Sequence, residues 1–278
     1  MKNFDIKRFA QLLRYDAVTY NRSYLKYGAA IFLCHFIMQM LVTWGMTCNM
    51  PSITAGREVE VYASNISVAL AFTIMMFLIG MSLTFANLST KPGRISYLML
   101  PVSNLEKFVS RLLIFTIGFV VVDAVALVLS DLLRALLLCQ MPGHVGLAMS
   151  YLPQYCRDLM DGTTKLVNVF YHSETGVWPL IFSSAYSVFA FVFVCLMFLL
   201  GGIYFKKAAF VKTSVIMLAL SFLLGWIRVS IGSFPVHENP STLHVAISAS
   251  IALVFVVAAF WLCYQTFTKV TVVSRKWF

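Results

Sequence analysis

The sequence predicts an all-α, polytopic membrane protein with about six transmembrane helices and an N-terminal amphipathic interfacial helix. The chain of 278 residues is 60% hydrophobic and only 12% charged, with a mean hydropathy of +0.84. Soluble domains carry about 45–50% apolar and about 25% charged residues, so this chain has too few polar groups to cover a surface in water. Six apolar runs are each long enough to cross about 30 Å of hydrocarbon, which takes about 20 helical residues.

The predicted spans follow one another along the chain and form one transmembrane domain, residues 1–278. Backbone groups in lipid must be bonded within their own segment, so each span is predicted to be an α-helix. The spans are residues 27–46, 66–87, 108–130, 179–204, 213–232 and 244–267. A modest polar loop is predicted at residues 47–65 and a large external loop at residues 131–178. The sequence DLLRALLL at the start of the large loop would extend the third helix beyond the membrane.

The distribution of Lys and Arg predicts that both termini are cytoplasmic. All but five of the 21 basic residues fall on the side of the membrane that holds the N-terminus. The exceptions are Arg57, Arg134, Arg157, Lys165 and Arg228. An excess of Lys and Arg marks the cytoplasmic side of a membrane protein. This bias accounts for the net charge of +10, so no nucleic-acid partner is predicted.

Residues 1–26 are predicted to form an amphipathic helix on the cytoplasmic membrane surface. The apolar positions that recur at helical spacing are Phe9, Leu12, Leu13, Ala17, Tyr20 and Tyr24. Lys7, Arg8 and Arg14 fall on other faces. Basic amphipathic helices bind anionic headgroups, so membrane lipids are a predicted partner. A simple positive-inside anchor explains the same residues equally well.

Charged residues inside predicted spans are candidate site residues, because a charge in hydrocarbon is costly. Asp123 lies in the third span and Arg228 in the fifth, each about 15 residues beyond the start of its span, and a rise of about 1.5 Å per residue gives them matching depths. We therefore predict an Asp123–Arg228 pair in the outer half of the membrane. A structural pair is favoured over a proton relay.

The first predicted span carries a second set of polar candidates. His35, Gln39 and Thr43 are four residues apart and therefore share one face of the helix. On the third helix, Asp123 and Ser130 are seven residues apart and also share a face. Interhelical hydrogen bonding, worth about 1 kcal/mol or less per bond in membranes, is favoured over a lining for a translocation path.

Enzyme and metal motifs are absent from the sequence. There is no GxxxxGK[ST] phosphate loop, no HExxH zinc motif and no GxSxG nucleophile elbow. We therefore predict no catalytic, cofactor-binding or metal-ligating residues and no cofactor. An intramembrane enzyme that uses Asp123 with His35 or Arg228 is the weakest alternative. Cys48, Cys139 and Cys156 fall outside the predicted spans and allow one disulfide, with the pairing left open.

A basic connector, residues 88–111, separates the second and third spans on the predicted cytoplasmic side. The tripeptide at residues 91–93, Lys-Pro-Gly, is predicted to be a turn. A short apolar face follows, made of Ile95, Leu98, Met99 and Val102. Ser103 and Glu106 then fit the capping box S-x-x-E, with Ser103 as the N-cap. Helix three is therefore predicted to begin in the cytosol, ahead of its lipid-buried part.

The connector and the layout of the chain resemble the permease subunits of ABC transporters of the exporter type 2 class, with this chain as a divergent bacterial member. The local resemblance rests on Leu-Pro-Val-Ser at residues 100–103, on Glu106, and on Ser-Arg-Leu-Leu at residues 110–113. That family also has about six spans, cytoplasmic termini and an amphipathic helix before the first span. In that family the connector includes a coupling helix that docks on a separate ATPase subunit.

The resemblance implies a multi-pass permease subunit in the bacterial inner membrane, paired as a homodimer or heterodimer and driven by a separate ATP-binding subunit. Residues 95–109 would be its docking surface. The candidate coupling residues are Ile95, Leu98, Leu100, Pro101, Ser103, Glu106, Lys107 and Arg111. The alternative is a non-transporting membrane scaffold or sensor that binds another cytosolic protein through the same loop. Nothing in the spans selects a cargo.

Overall fold

The computed structural model describes residues 5–19, 21–48, 57–140, 177–205, 207–230 and 242–269, and every regular element in these ranges is helical. The helices are α1 (Ile6–Thr19), α2 (Asn21–Cys48), α3 (Arg57–Leu83), a 3₁₀ turn (Ala86–Ser89), α4 (Lys91–Leu98), α5 (Asn104–Cys139), α6 (Val177–Tyr204), α7 (Ala209–Ser230) and α8 (Thr242–Thr268). The predicted all-α fold of a polytopic membrane protein is confirmed.

Five of the described helices are long and apolar enough to cross a membrane. Their qualifying segments are Tyr24–Gly45, Ala63–Leu83, Asn104–Cys139, Ser184–Tyr204 and Ala246–Thr268. The helix at the fifth predicted span, α7, has a shorter apolar segment, Ala209–Leu223. The chain is therefore a multi-pass membrane protein of roughly six helices.

The distribution of side chains on α5 is the reverse of that on a soluble surface helix. Ser110, Asp123 and Ser130 are buried, whereas Val121 and Val125 are exposed. Apolar groups are driven out of water, so this distribution is stable when the exposed side chains face lipid and the polar groups face protein.

Several predicted boundaries are corrected by the structure. α2 continues to Cys48 and α3 begins at Arg57, so the loop predicted at residues 47–65 is shorter, and Asn65 lies buried within α3. α5 extends to Cys139, which confirms that the third helix continues past residue 130. Residues 141–176, most of the predicted large loop, lie outside the described residues.

The prediction of a turn at residues 91–93 was wrong, because these residues begin α4. Pro92 lies in the first turn of α4, where a helix leaves its N–H groups unbonded, so the missing donor of proline costs nothing there. The predicted interfacial helix is also divided: α1 ends at Thr19 and α2 begins at Asn21. In α1, Leu12 is buried as expected, but Asp16 is buried as well.

The chain divides into two compact units, described separately below. Unit 1 comprises Met1–Leu12, Leu78–Leu112 and Val167–Phe278, and unit 2 comprises Leu13–Phe77 and Leu113–Leu166. α1, α3 and α5 each contribute residues to both units, and the one transmembrane domain of residues 1–278 stays a prediction.

The core of unit 1 is aromatic. Phe108 is fully buried and stacks on Phe85, with ring centroids 5.6 Å apart, and Phe267 contacts both rings. α6 packs extensively against α8, and the thiol of Cys263 donates to the carbonyl of Leu196 across that contact at 3.3 Å. Buried aromatic rings of this kind bury large apolar areas and fix the relative position of the helices that carry them.

Two adjacent glycines let α6 approach its neighbours closely within unit 1. A Cβ atom at Gly201 would collide with the side chain of Thr213 on α7, and one at Gly202 would collide with the backbone carbonyl of Ser82 on α3. Small residues at helix contacts are the usual means of close packing in membranes. The turn after α6 contains Ala208, whose φ of 51° lies in the left-handed region that favours glycine.

The core of unit 2 is smaller and lies between α2, α3 and α5. Ile31, Phe119 and Ala126 are buried together, and the rings of Phe77 and Phe119 meet edge to face with centroids 5.1 Å apart. The polar residues of unit 2 lie on the same three helices as this core.

Candidate functional site

The capping box at the start of α5 forms as predicted. The backbone N–H of Glu106 donates to Oγ of Ser103 at 3.2 Å, and the backbone N–H of Ser103 donates to Oε2 of Glu106 at 2.9 Å. Because α5 begins at Asn104, Ser103 is its N-cap. The two bonds satisfy two of the N–H groups that the first turn of a helix leaves open.

The second carboxylate oxygen of Glu106 binds the beginning of α1. Oε1 of Glu106 accepts a hydrogen bond from the backbone N–H of Asp5 at 2.9 Å and lies 3.6 Å from Nη2 of Arg8. Asp5 immediately precedes α1, so the carboxylate faces the N-termini of two helices, whose dipoles favour a negative charge. Glu106 is fully buried, and these donors offset the cost of removing its charge from water.

α4 is joined to α5 through Tyr97. The hydroxyl of Tyr97 donates to the backbone carbonyl of Lys107 at 2.7 Å, and the guanidinium of Arg111 lies 4.5 Å from the centroid of the Tyr97 ring. Tyr97 is also part of the aromatic core with Phe108. α4 is therefore an integral part of unit 1, with one face buried in the core.

The other side of α4 and the chain after it are exposed. We define the docking face as Ile95, Met99, Pro101 and Leu105, all of them exposed. Met99 is 76% exposed, and its flexible side chain is of a type that is frequent at surfaces that bind other proteins. Contiguous exposed apolar residues on a surface mark sites where a protein or a membrane binds.

The predicted coupling residues divide into exposed and buried groups. Glu106, Lys107 and Arg111 are buried, so the prediction that their side chains form the docking surface is corrected: they lie beneath it. Leu100 and Ser103 are half-buried. The side chain of Leu98 lies outside the described part of the chain. The capping box and the Tyr97 contact account for the burial, because both turn the charged residues inward.

In unit 2, Asp123 lies between two helices. Its Oδ1 is 3.1 Å from Nε2 of His35 on α2, and its Oδ2 accepts a hydrogen bond from the hydroxyl of Thr73 on α3 at 3.1 Å. His35 is 1% exposed and Asp123 is 5% exposed. The ring of Phe72 meets the His35 ring edge-on, with centroids 6.4 Å apart.

Polar contacts continue along α2 from His35. Nε2 of Gln39 donates to Oγ of Ser130 at 3.1 Å, and Nδ2 of Asn65 donates to Oγ1 of Thr43 at 3.3 Å. We call these four buried residues, Gln39, Thr43, Asn65 and Ser130, the polar ladder. The shared faces predicted for α2 and α5 are therefore brought together in unit 2.

A buried ion pair lies next to the polar ladder. On α5, Nη2 of Arg134 lies 2.8 Å from Oδ1 of Asp131, and Nε of Arg134 donates to the same oxygen at 3.2 Å. Both residues are fully buried. Both lie in the segment DLLRALLL, which was predicted to continue the third helix, and α5 includes them.

The Asp123–Arg228 pair stays a prediction, because the side chain of Arg228 lies outside the described residues. The described partners of Asp123 are His35 and Thr73. Thr73 and Asn65 were missed as site residues. Among the described residues, no group of His, Cys, Asp and Glu is arranged to hold a metal ion.

Comparison with known proteins gives no match: no family model, no curated protein and no solved structure is similar to this chain.

Proposed function

We propose that this chain is the membrane-spanning permease subunit of an ATP-driven exporter, and that a separate ATP-binding subunit docks on the connector between α3 and α5. The observation that carries the proposal is the docking face on α4 and the chain after it, which is exposed and apolar, while the opposite side of α4 is bound into the core of unit 1 through Tyr97. The resemblance of residues 100–113 to the exporter permeases supports the same assignment.

The contacts beneath the docking face suit the transmission of force. A push on Met99 would reach Tyr97, which is bonded to Lys107 and stacked on Arg111, both on α5. Glu106 carries the same movement to the start of α1 through Asp5 and Arg8. A loop without such contacts would absorb the displacement, because coupling needs packed elements with defined positions.

The proposal includes a location in the bacterial inner membrane with both termini cytoplasmic, and a pairing as a homodimer or heterodimer. The bias of Lys and Arg along the chain supports the orientation. The cargo is not assigned.

The deciding experiment is co-purification from detergent-solubilised membranes of the native host, with the wild type beside a Met99→Glu variant. We expect an ATPase with a phosphate-binding loop to be recovered with the wild type, and at least about tenfold less with Met99→Glu, because a charge in an apolar contact costs more than about 1.4 kcal/mol. The readouts are mass spectrometry and ATP hydrolysis of the purified material.

The matched control is Val18→Glu on α1, which introduces the same charge at another exposed apolar position predicted to be cytoplasmic. It should leave recovery of the ATPase unchanged. If the wild type recovers no ATPase, or if both variants lose it equally, the permease proposal fails. Recovery of a different cytosolic protein, lost only with Met99→Glu, would establish the scaffold or sensor alternative.

A further inference from the structure

We propose that His35 and Asp123 form a proton-binding site in unit 2, connected on one side to the buried polar ladder and closed on the other side by apolar side chains. The ligand is a single proton from the aqueous phase, held on the imidazole opposite the carboxylate. This inference does not depend on an ATPase partner, because it rests only on contacts within unit 2.

The first argument is the chemistry of the pair. Imidazole is the side chain whose charge changes near neutral pH, and here it lies 3.1 Å from a carboxylate with almost no exposure of either group. The hydroxyl of Thr73 holds the second carboxylate oxygen. An imidazolium would therefore face a positioned acceptor, and so would a neutral imidazole with its proton on Nε2, but only the imidazolium would form an ion pair with the carboxylate.

The second argument is the contrast with Asp131 and Arg134 on the same helix. Arginine keeps its charge at any physiological pH, and the guanidinium of Arg134 lies 2.8 Å from Oδ1 of Asp131, which fits a role in holding the structure. A second pair of this kind would have served equally well to join α2 to α5. A histidine at residue 35 instead makes the charge of the contact dependent on proton supply.

The third argument is the asymmetry around the pair. From His35 toward Cys48, α2 presents a polar residue at each turn, Gln39 and then Thr43, each about 6 Å further along the helix. In the opposite direction lies the core formed by Ile31 and Phe119 with the rings of Phe77 and Phe115. Protons move along hydrogen-bonding groups and are excluded by packed rings, so the proposed route of the proton runs through the buried side chains of the polar ladder.

The surroundings contain few groups that would complicate the titration. From α2 the neighbouring polar groups are Cys34 and Gln39, and from α3 the neighbouring polar group is the Thr73 hydroxyl. The apolar ring of Phe72 on α3 also contacts the imidazole. On α5, the nearest other described charges are Asp131 and Arg134, which are bonded to each other.

The test is ¹⁵N NMR of the full chain in lipid nanodiscs with labelled histidine. The chain has five histidines, His35, His144, His172, His237 and His244, and His35→Gln identifies the signal of His35 by its loss. We expect the ring nitrogens of His35 to change from the neutral to the charged pattern as the pH falls from about 9 to about 5. If His35→Gln does not fold, a variant with the other four histidines replaced by Gln gives the same assignment.

Two variants separate a proton-binding site from a structural contact. Asp123→Asn should abolish the charged His35 signal at a pH where the wild type shows it, because the neutral amide no longer stabilises an imidazolium. Ser130→Ala, the matched control, breaks a neutral bond of the polar ladder and should leave the titration of His35 unchanged. A His35 signal that stays in one protonation state, or that titrates identically in Asp123→Asn, overturns the proposal.

Discussion

At the residue scale, one carboxylate connects three segments of unit 1. Glu106 accepts hydrogen bonds from the backbone of Ser103 and Asp5 and lies beside Arg8. A buried carboxylate is expensive unless donors surround it, and each bond to a charged group contributes about 1.5–3 kcal/mol. Glu106 therefore acts as a structural junction beneath the docking face rather than as part of a partner surface.

Replacing Glu106 should destabilise unit 1 strongly. Glu106→Ala leaves two buried backbone N–H groups and an arginine without this acceptor, and we expect a loss of about 2 kcal/mol or more in the free energy of unfolding. Thermal unfolding of the purified protein in detergent measures this loss. Leu105→Ala at the adjacent exposed position should change stability by less than about 0.5 kcal/mol. Equal effects of the two variants would contradict the junction role.

At the element scale, the helices pack by close approach of small residues where side chains would obstruct them. The contact of α6 with α3 and α7 depends on Gly202 and Gly201, because a Cβ atom at either position would collide with the opposing atoms. By contrast, Gly118 on α5 has open space where a Cβ atom would lie. The same residue type thus has a packing role in one helix and none in the other.

Alanine substitutions at these glycines should have opposite effects. Gly202→Ala forces the α6 backbone away from the Ser82 carbonyl and should cost about 1–3 kcal/mol, as overpacking does. Gly118→Ala meets nothing and should stabilise α5 by up to about 1 kcal/mol, because alanine has the higher helix propensity. Midpoints of thermal unfolding in one detergent compare the two. Stabilisation by Gly202→Ala would show that α6 and α3 are not in contact.

At the scale of the whole molecule, the length of α5 bears on topology. Its 36 residues extend about 54 Å at about 1.5 Å per residue, whereas the hydrocarbon core is about 30 Å thick. Both ends of α5 therefore reach beyond the hydrocarbon when the helix spans. The connector precedes one end and Cys139, which is exposed with a free thiol, is at the other.

Labelling from each side of the membrane tests this topology. In a background with the native cysteines replaced by serine, Met99→Cys should react with a membrane-impermeant maleimide only in inverted vesicles. A protein that keeps only Cys139 should react only in right-side-out vesicles. Labelling of both positions from the same side would overturn the proposed orientation, and permeabilised vesicles provide the control for reactivity.

The sequence by itself determined the fold class, the approximate spans and the capping box of Ser103 and Glu106. Each depends on residues close together in the chain: an apolar run needs only its own length, and a capping box closes over three residues. For the same reason, the sequence showed that His35, Gln39 and Thr43 share one face of α2. It also showed that Asp123 and Ser130 share one face of α5, but it did not show that the two faces meet.

Only the tertiary structure decided which of these faces meet and which charges are buried. The matching depth of Asp123 and Arg228 in their predicted spans suggested that they form a pair. Depth in the membrane does not specify which helices are neighbours, however, and the described contacts of Asp123 are with His35 on α2 and Thr73 on α3. The buried position of Arg111 likewise involves the ring of Tyr97, a contact between two elements that no periodicity encodes. Contacts between helices follow from how they pack, and spacing along one helix contains no information about its neighbours.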